Sequence, residues 1–299
     1  MFGNKDGRKY LRQSSGYDRL AVICLHRDQQ YGSLNEVQDE LRQTVLQFAP
    51  PLMSSKGVGP QIPYLTLGDG VGHRKTIHQT KSELSGDIHV EEVSIDGQTY
   101  RRLIFMNNQA VIQSEVRLKK GKLLINYFSP PAGYKNFFLK IIENSKKNKK
   151  NKKMVIDVNY VAASHTSYMS IAPEVLNNKE SSIAVIGVGG GGLCLLLRKL
   201  FPKSMITGVD IDPVVIDLAK NYFGLITDEK LKIVIEDGIK FIKESEKFDV
   251  VIFDVNSSIQ GADVSCPPPE FLEENTLEDV KKLIGDTGES FFLKIFLIS

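Results

Sequence analysis

Cysteine is scarce in this chain, with Cys24, Cys194 and Cys266 the three in 299 residues. They are odd in number, far apart and in no metal-ligand spacing, so the sequence predicts a reducing compartment and no metal site. An early apolar run is lacking as well: Met1 is followed by Phe2-Gly3-Asn4-Lys5-Asp6, which is no secretory signal. No stretch approaches the roughly 18 consecutive apolar residues of a membrane span. Net charge is almost absent, since Lys+Arg 38 against Asp+Glu 36 leaves +2, and no overall field draws the chain to nucleic acid or membrane. A soluble, cytoplasmic protein is expected, with no nucleic-acid or membrane partner.

The chain does have enough apolar residues, 41%, for a buried core. Leu20 to His26 reads as a short buried strand. Ser33 to Phe48 reads as a helix in which Leu34, Val37, Leu41, Val45 and Phe48 recur at helical spacing, with Ser33 as cap and Pro50-Pro51 forbidding continuation. With the polar, Gly- and Pro-rich stretch from 52, this makes an upstream strand, helix and loop unit over 1–85. Residues 86–145 have the texture of a small β-hairpin domain: Ile88 to Ile95, the turn Asp96-Gly97, Tyr100 to Met106, then Ala110 to Arg117. The run Lys-Lys-Asn-Lys-Lys-Asn-Lys-Lys at 146–153 repels itself and lacks interleaved aromatics, so it reads as a linker and not a nucleic-acid arm.

From 154 to 299 apolar runs alternate with helical segments. Strands are expected at Ile183–Ile186, Ser204–Val209, Leu231–Ile235 and Asp249–Phe253, with helices near 191–200, 213–223 and 238–244. This alternation predicts an α/β class fold with a parallel, Rossmann-like sheet whose strand ends share one ligand-binding edge.

Each strand end carries a feature of its own. The first runs into Gly187-Val188-Gly189-Gly190-Gly191-Gly192, where missing Cβ atoms permit close ligand approach and a helix N-terminus welcomes an anionic group. Gly187, Gly189 and Gly192 also satisfy the dinucleotide pattern, so the run alone does not choose a cofactor. Asp210 ends the second strand as an acceptor for ribose hydroxyls, a contact needed by NAD and S-adenosylmethionine alike. Asp212-Pro213 reads as a cap and helix start. The third strand ends in Glu236-Asp237-Gly238, where Asp237 suits either the adenine amino group or a helix N-cap; a third acidic position favours S-adenosylmethionine. The fourth delivers Asp254, placed to orient an incoming amine beside a sulfonium.

Several of these stretches, with others upstream, resemble the C-terminal half of the elongation factor 1-alpha lysine and N-terminal methyltransferases. The matching stretches are Arg101 to Phe105, Val111 to Glu115, Gly187 to Gly191, Asp210 to Pro213, Phe223-Gly224, Asp237-Gly238, Phe253 to Val255 and Ser265-Cys266-Pro267-Pro268-Pro269. The resemblance implies a spermidine-synthase-like, S-adenosylmethionine-dependent methyltransferase acting on the N-terminal α-amine of elongation factor 1-alpha. It implies that Gln113 lies beside the donor's methionine part, with Gly187, Gly189, Gly190, Gly191, Asp210, Asp237 and Gly238 around the donor. It also implies that Tyr160 and His165 line the active-site mouth, with Asn256 where the group tends to have a second Asp. Two other readings stand beside it: a polyamine aminopropyltransferase on the same scaffold, and a non-catalytic donor-binding or partner domain. The second of these rests on Phe291 to Ser299, at best a fifth strand, after which the expectation is a C-terminally truncated sheet whose apolar edge invites a homodimer.

Overall fold

The computed structural model describes residues 5–17, 19–23, 25, 29, 31–48, 62–64, 73–95, 97–109, 111–121, 154–157, 159–175, 180–256, 267–284 and 291–293. Cys24, Cys266, Asp96, Ser257, Ser258, Ser265 and the Lys-rich run at 146–153 lie outside them. Contacts divide the chain into two compact units. One comprises Met1–Arg74 with Val93–Gly97 and Ser299, the other Lys75–Glu92 with Gln98–Ile298.

In the first unit, helix α1 spans Lys5–Ser15 and helix α2 spans Leu34–Gln47. Ser33 caps α2 by accepting from the Glu36 amide, and Glu36 reaches back to accept from the Gly32 amide at 2.7 Å, a reciprocal cap. The strand expected at 20–26 does not appear in its described residues. Leu20, Val22, Ile23 and Leu25 are exposed, and an apolar run without a partner strand has no ladder to join.

Two five-stranded sheets follow. The first has the order β1-β2-β3-β4-β5, with β1 His73–Ser82, β2 Gly86–Ile95, β3 Gln98–Phe105, β4 Ile112–Lys120 and β5 Met154–Ile156. β1 lies in a stretch read as loop because its sequence, HRKTIHQTKS, holds a single large apolar residue, Ile77. β5 pairs antiparallel with β4, so this sheet takes strands from both sides of the Lys-rich run. Between β3 and β4 the register moves from Leu103 opposite Ser114 to Ile104 opposite Ile112, leaving Gln113 as one extra residue. Such bulges bend a strand and re-aim its side chains.

The second sheet is parallel, in the order β10-β9-β6-β7-β8: Phe291–Leu293, Val250–Phe253, Ser182–Ile186, Met205–Asp210 and Leu231–Ile235. The four expected strands are present and Phe291–Leu293 joins them as a fifth. Its helices are α3 Ser164–Met169, α4 Ala172–Val175, α5 Gly192–Leu200, α6 Pro213–Tyr222, α7 Gly238–Glu244 and α8 Glu274–Ile284. Alternation sends Ile183, Val185, Val250 and Ile252 to one face with Leu193, Cys194 and Leu197 of α5. Ala184, Ile186, Val251 and Phe253 go to the other, with Phe241 and Ile242 of α7 and Val280 and Leu283 of α8. Burial on both faces explains the near-continuous apolar strands.

The antiparallel sheet is seated on α6. Ile88, Val90 and Leu103 pack with Val215, Leu218 and Phe223, and Arg101 donates to the Tyr222 carbonyl at 2.8 Å. Two serines complete the join: Ser82 and Ser85 donate to Asp212 Oδ2 at 2.5 and 2.6 Å, while Asp212 Oδ1 accepts from the Val214 amide and caps α6. Asp212 is therefore structural, as its Asp-Pro context predicts.

Along β4, Arg102 pairs with Glu115 at 2.7 Å, and Asp157 after β5 receives Lys119 at 2.8 Å and Arg117 at 2.7 Å. Lys119, then Arg117 and the Asn159 amide, hold the Asp157 carboxyl at about 2 against its burial. A carboxyl held below its ordinary value stabilises the fold above about pH 4, and that contribution is lost as pH falls towards 2. Asp157→Asn should thus cost roughly 1–2 kcal/mol at pH 7, discounted for the half-exposed cations, and progressively less below pH 4. Urea melts of both proteins across that range measure the difference.

Candidate active site

Strands β6, β7, β8 and β9 end at one edge of the parallel sheet, and the predicted residues at those ends meet there because parallel pairing aligns the strands. Gly187 leaves β6 at φ +91°, and a Cβ there would collide with the Asp254 carbonyl after β9. Gly189 and Gly191 also have positive φ, at +52° and +83°. At Gly190 and Gly238 the constraint is crowding: a Cβ would stand 2.7 Å from the Ser114 Cβ or 2.6 Å from the Ile186 Cγ2. Three neighbours, Asp254, Ser114 and Ile186, thus exclude side chains from the loop and its surroundings.

The amide hydrogens of residues 187–191 are all engaged. Gly187 donates to the Val209 carbonyl at 2.8 Å and Gly191 to the Val188 carbonyl at 2.8 Å. Val188 and Gly189 both donate to Asp210 Oδ2, at 3.0 and 3.1 Å, and Gly190 donates to the Ser114 hydroxyl at 2.7 Å. The anion that takes up the loop's donors is Asp210 itself. A pyrophosphate, which needs such amides free, has no cradle in residues 187–191.

Asp210 Oδ1 accepts in addition from the Asp212 amide at 3.0 Å. Burial pushes the Asp210 carboxyl up, and the amides of Asp212, Gly189 and Val188 act against that shift. A carboxylate offers about four acceptor positions, so three amides leave room for a ligand hydroxyl. Asp237 caps α7 by accepting from the Lys240 amide at 3.0 Å, the second of its two predicted roles, and it stands exposed beside the strand end. Gln113 lies against the glycine loop as the extra residue of the β4 bulge, its carbonyl accepting from the Ser114 hydroxyl at 2.7 Å.

Asp254 faces His165 of α3, with Nε2 to Oδ1 at 3.8 Å and the two side chains 35% and 26% exposed. Burial pushes the Asp254 carboxyl up, and the imidazole works against that shift. Cys194, at the start of α5, is fully buried and its thiol is pushed up to about 12, first by burial and then by the charges of Asp254 and Asp210. It is a neutral packing residue, not a nucleophile. Asn256 follows Asp254 on the exposed side of the edge. Tyr160 belongs to the β4 network: its hydroxyl donates to Glu115, the residue after Ser114, at 2.8 Å, and its ring lies under the Arg117 guanidinium at 4.8 Å.

Ser114 is the residue whose part sequence reasoning missed. It matched a family stretch, but nothing local signals a hydroxyl that receives an amide 76 positions away. The edge as a whole sets a glycine loop beside three acids, Asp210, Asp237 and Asp254, at the ends of β7, β8 and β9.

The family described as "Spermine/spermidine synthase domain" matches residues 162–288. The chain is 40% identical over 299 residues to the "eEF1A lysine and N-terminal methyltransferase homolog" of Drosophila pseudoobscura pseudoobscura, covering 96% of this chain and 40% of that protein. It is 34% identical over 314 residues to the "eEF1A lysine and N-terminal methyltransferase" of Homo sapiens, covering 96% of this chain and 42% of that one. A crystal structure of human methyltransferase-like protein 13 in complex with SAH is 32% identical over 41% of this chain and 60% of that chain, with a TM-score of 0.38. The chain spans about two fifths of the length of the curated relatives it matches. Over nearly its whole length, this chain is a homologue of the eEF1A lysine and N-terminal methyltransferases.

Proposed function

We propose that this chain is a cytoplasmic S-adenosylmethionine-dependent methyltransferase that acts on a protein amine, the N-terminal α-amine of eEF1A. The observation that carries the reading is the glycine loop whose amides are taken up by Asp210 and Ser114. S-adenosylmethionine carries no phosphate and asks only for close approach and acceptors at the strand ends. Gly187, Gly189, Gly190 and Gly191 would leave room for it, Asp210 would accept from its ribose, and Asp237 with Gly238 would meet its adenine. Gln113 would lie by its methionine part. When bound, it supplies an electrophilic methyl carbon. Asp254 would hold the amine in line through a charge-assisted hydrogen bond, with Asn256 and the exposed rim receiving the rest of the substrate. The names of the relatives support the same choice of reaction and substrate. Among the described residues no helix is long and apolar enough to cross a membrane, which accords with a cytoplasmic place.

The match to a spermine/spermidine synthase domain favours one other reading, a polyamine aminopropyltransferase using the decarboxylated donor. It ranks second because Asn256 and the serines after it supply no further acid for a polyamine cation.

Two measurements test the assignment. In calorimetry Asp210→Ala should weaken S-adenosylmethionine binding by about 10-fold or more, because a charged acceptor and the anchor of the loop are lost together. Unchanged affinity would remove the donor site from this edge. Mass spectrometry of eEF1A after incubation with the chain and labelled donor should show methyl groups on the N-terminal α-amine; spermidine formed from putrescine and the decarboxylated donor would instead select the aminopropyltransferase.

A further inference from the structure

We infer that His165 is the proton acceptor of the methyl transfer and that its gap to Asp254 is the seat of the amine nitrogen. The inference rests on the methyltransferase reading above. His165 Nε2 and Asp254 Oδ1 stand 3.8 Å apart, too far for a direct hydrogen bond and close enough for an ion pair. One nitrogen can lie about 2.9 Å from both atoms at once, which is the hydrogen-bond distance for an amine bridging a carboxylate and an imidazole. The 35% exposure of His165 gives an accepted proton a route to water.

An amine arrives at neutral pH largely as an ammonium and has no lone pair for the methyl carbon. In the gap, the ammonium passes one proton to Nε2, leaving a neutral amine and an imidazolium beside the Asp254 carboxylate. The amine nitrogen then bonds to the methyl carbon as the carbon–sulfur bond breaks with its electron pair going to sulfur. The positive charge moves from sulfonium to methylated ammonium, and the imidazolium releases its proton to solvent before the next round. Asp254 holds an N–H of the amine and stabilises the imidazolium, a positioning part.

The other titratable groups around these strand ends are poorly suited to the task. Cys194 is a buried neutral thiol, Asp210 is committed to three backbone amides, Glu236 is paired with Lys240 and Asp237 caps α7. Imidazole is the side-chain base of neutral pH. It matches an α-ammonium, which titrates at about 7.7–8.0, far better than a lysine ammonium at about 10.4. The pair therefore points to a terminal α-amine as the substrate class of this site.

The test compares the wild type with His165→Gln and Asp254→Asn on a peptide of the eEF1A N-terminus, across pH, with donor affinity measured alongside by calorimetry. His165→Gln should keep its donor affinity and lose roughly 10-fold in kcat/KM at pH 7, where about a tenth of an α-amine is neutral without help. That loss should shrink above about pH 8.5, where the α-amine is neutral without help. Asp254→Asn should be impaired at every pH, because high pH does not restore positioning. Independently of turnover, NMR of histidine-labelled protein should show the His165 ring signals moving on addition of the peptide and staying in place with its N-acetylated form. A His165→Gln loss that is absent or equal at all pH values, or ring signals indifferent to the free amine, would overturn the inference while leaving a methylating wild type intact. A wild type that binds donor and methylates no amine would overturn the functional reading and this inference with it.

Discussion

The Asp210 carboxylate is the contact on which the candidate site depends. It stands at the end of β7 and gathers the amides of Val188 and Gly189 from the loop after β6, and of Asp212 from the entry to α6. Three short segments are thereby fixed relative to one group. Burial raises the free energy of the charged form, and the three donors compensate for it, so the carboxylate is expensive to place and hard to replace.

A second set of contacts joins the antiparallel sheet to this frame. The Ser114 hydroxyl takes the Gly190 amide, Ser82 and Ser85 take the Asp212 carboxylate, and Arg101 takes the Tyr222 carbonyl. Each is a polar contact between a hairpin residue and an end of a Rossmann element. Together with the Ile88, Leu103 and Phe223 packing they make the antiparallel sheet part of the site's wall. The bulge at Gln113 serves the same end, because the extra residue lets β4 bend where it meets the loop.

Much of this was legible in the residues. Period-two burial on both faces leaves continuous apolar runs, so the parallel strands stand out, and Asp212-Pro213 marks the start of α6 through cap chemistry that is local. Ser33 marks the start of α2 in the same way. The polar strand β1 was not legible, because a strand with one solvated face and one large apolar residue resembles a loop. Leu20 to His26 erred in the opposite sense: the residues favour a strand, yet pairing needs a neighbour that no local pattern supplies. The partners of Tyr160, Glu115 and Arg117, were not legible either, since a hydroxyl and a ring between charged groups find partners that spacing cannot foresee.

By itself the sequence determined the alternation of strands and helices, the glycine positions and the acid at each strand end, because propensity, capping and periodicity act over a few residues. Only the tertiary structure decided that the loop's amides are closed by Asp210 and Ser114, and that Asp254 faces His165 across 3.8 Å. Those outcomes depend on distant segments converging at one sheet edge. Short-range polar contacts form between groups that packing brings together, and packing is settled by the whole chain.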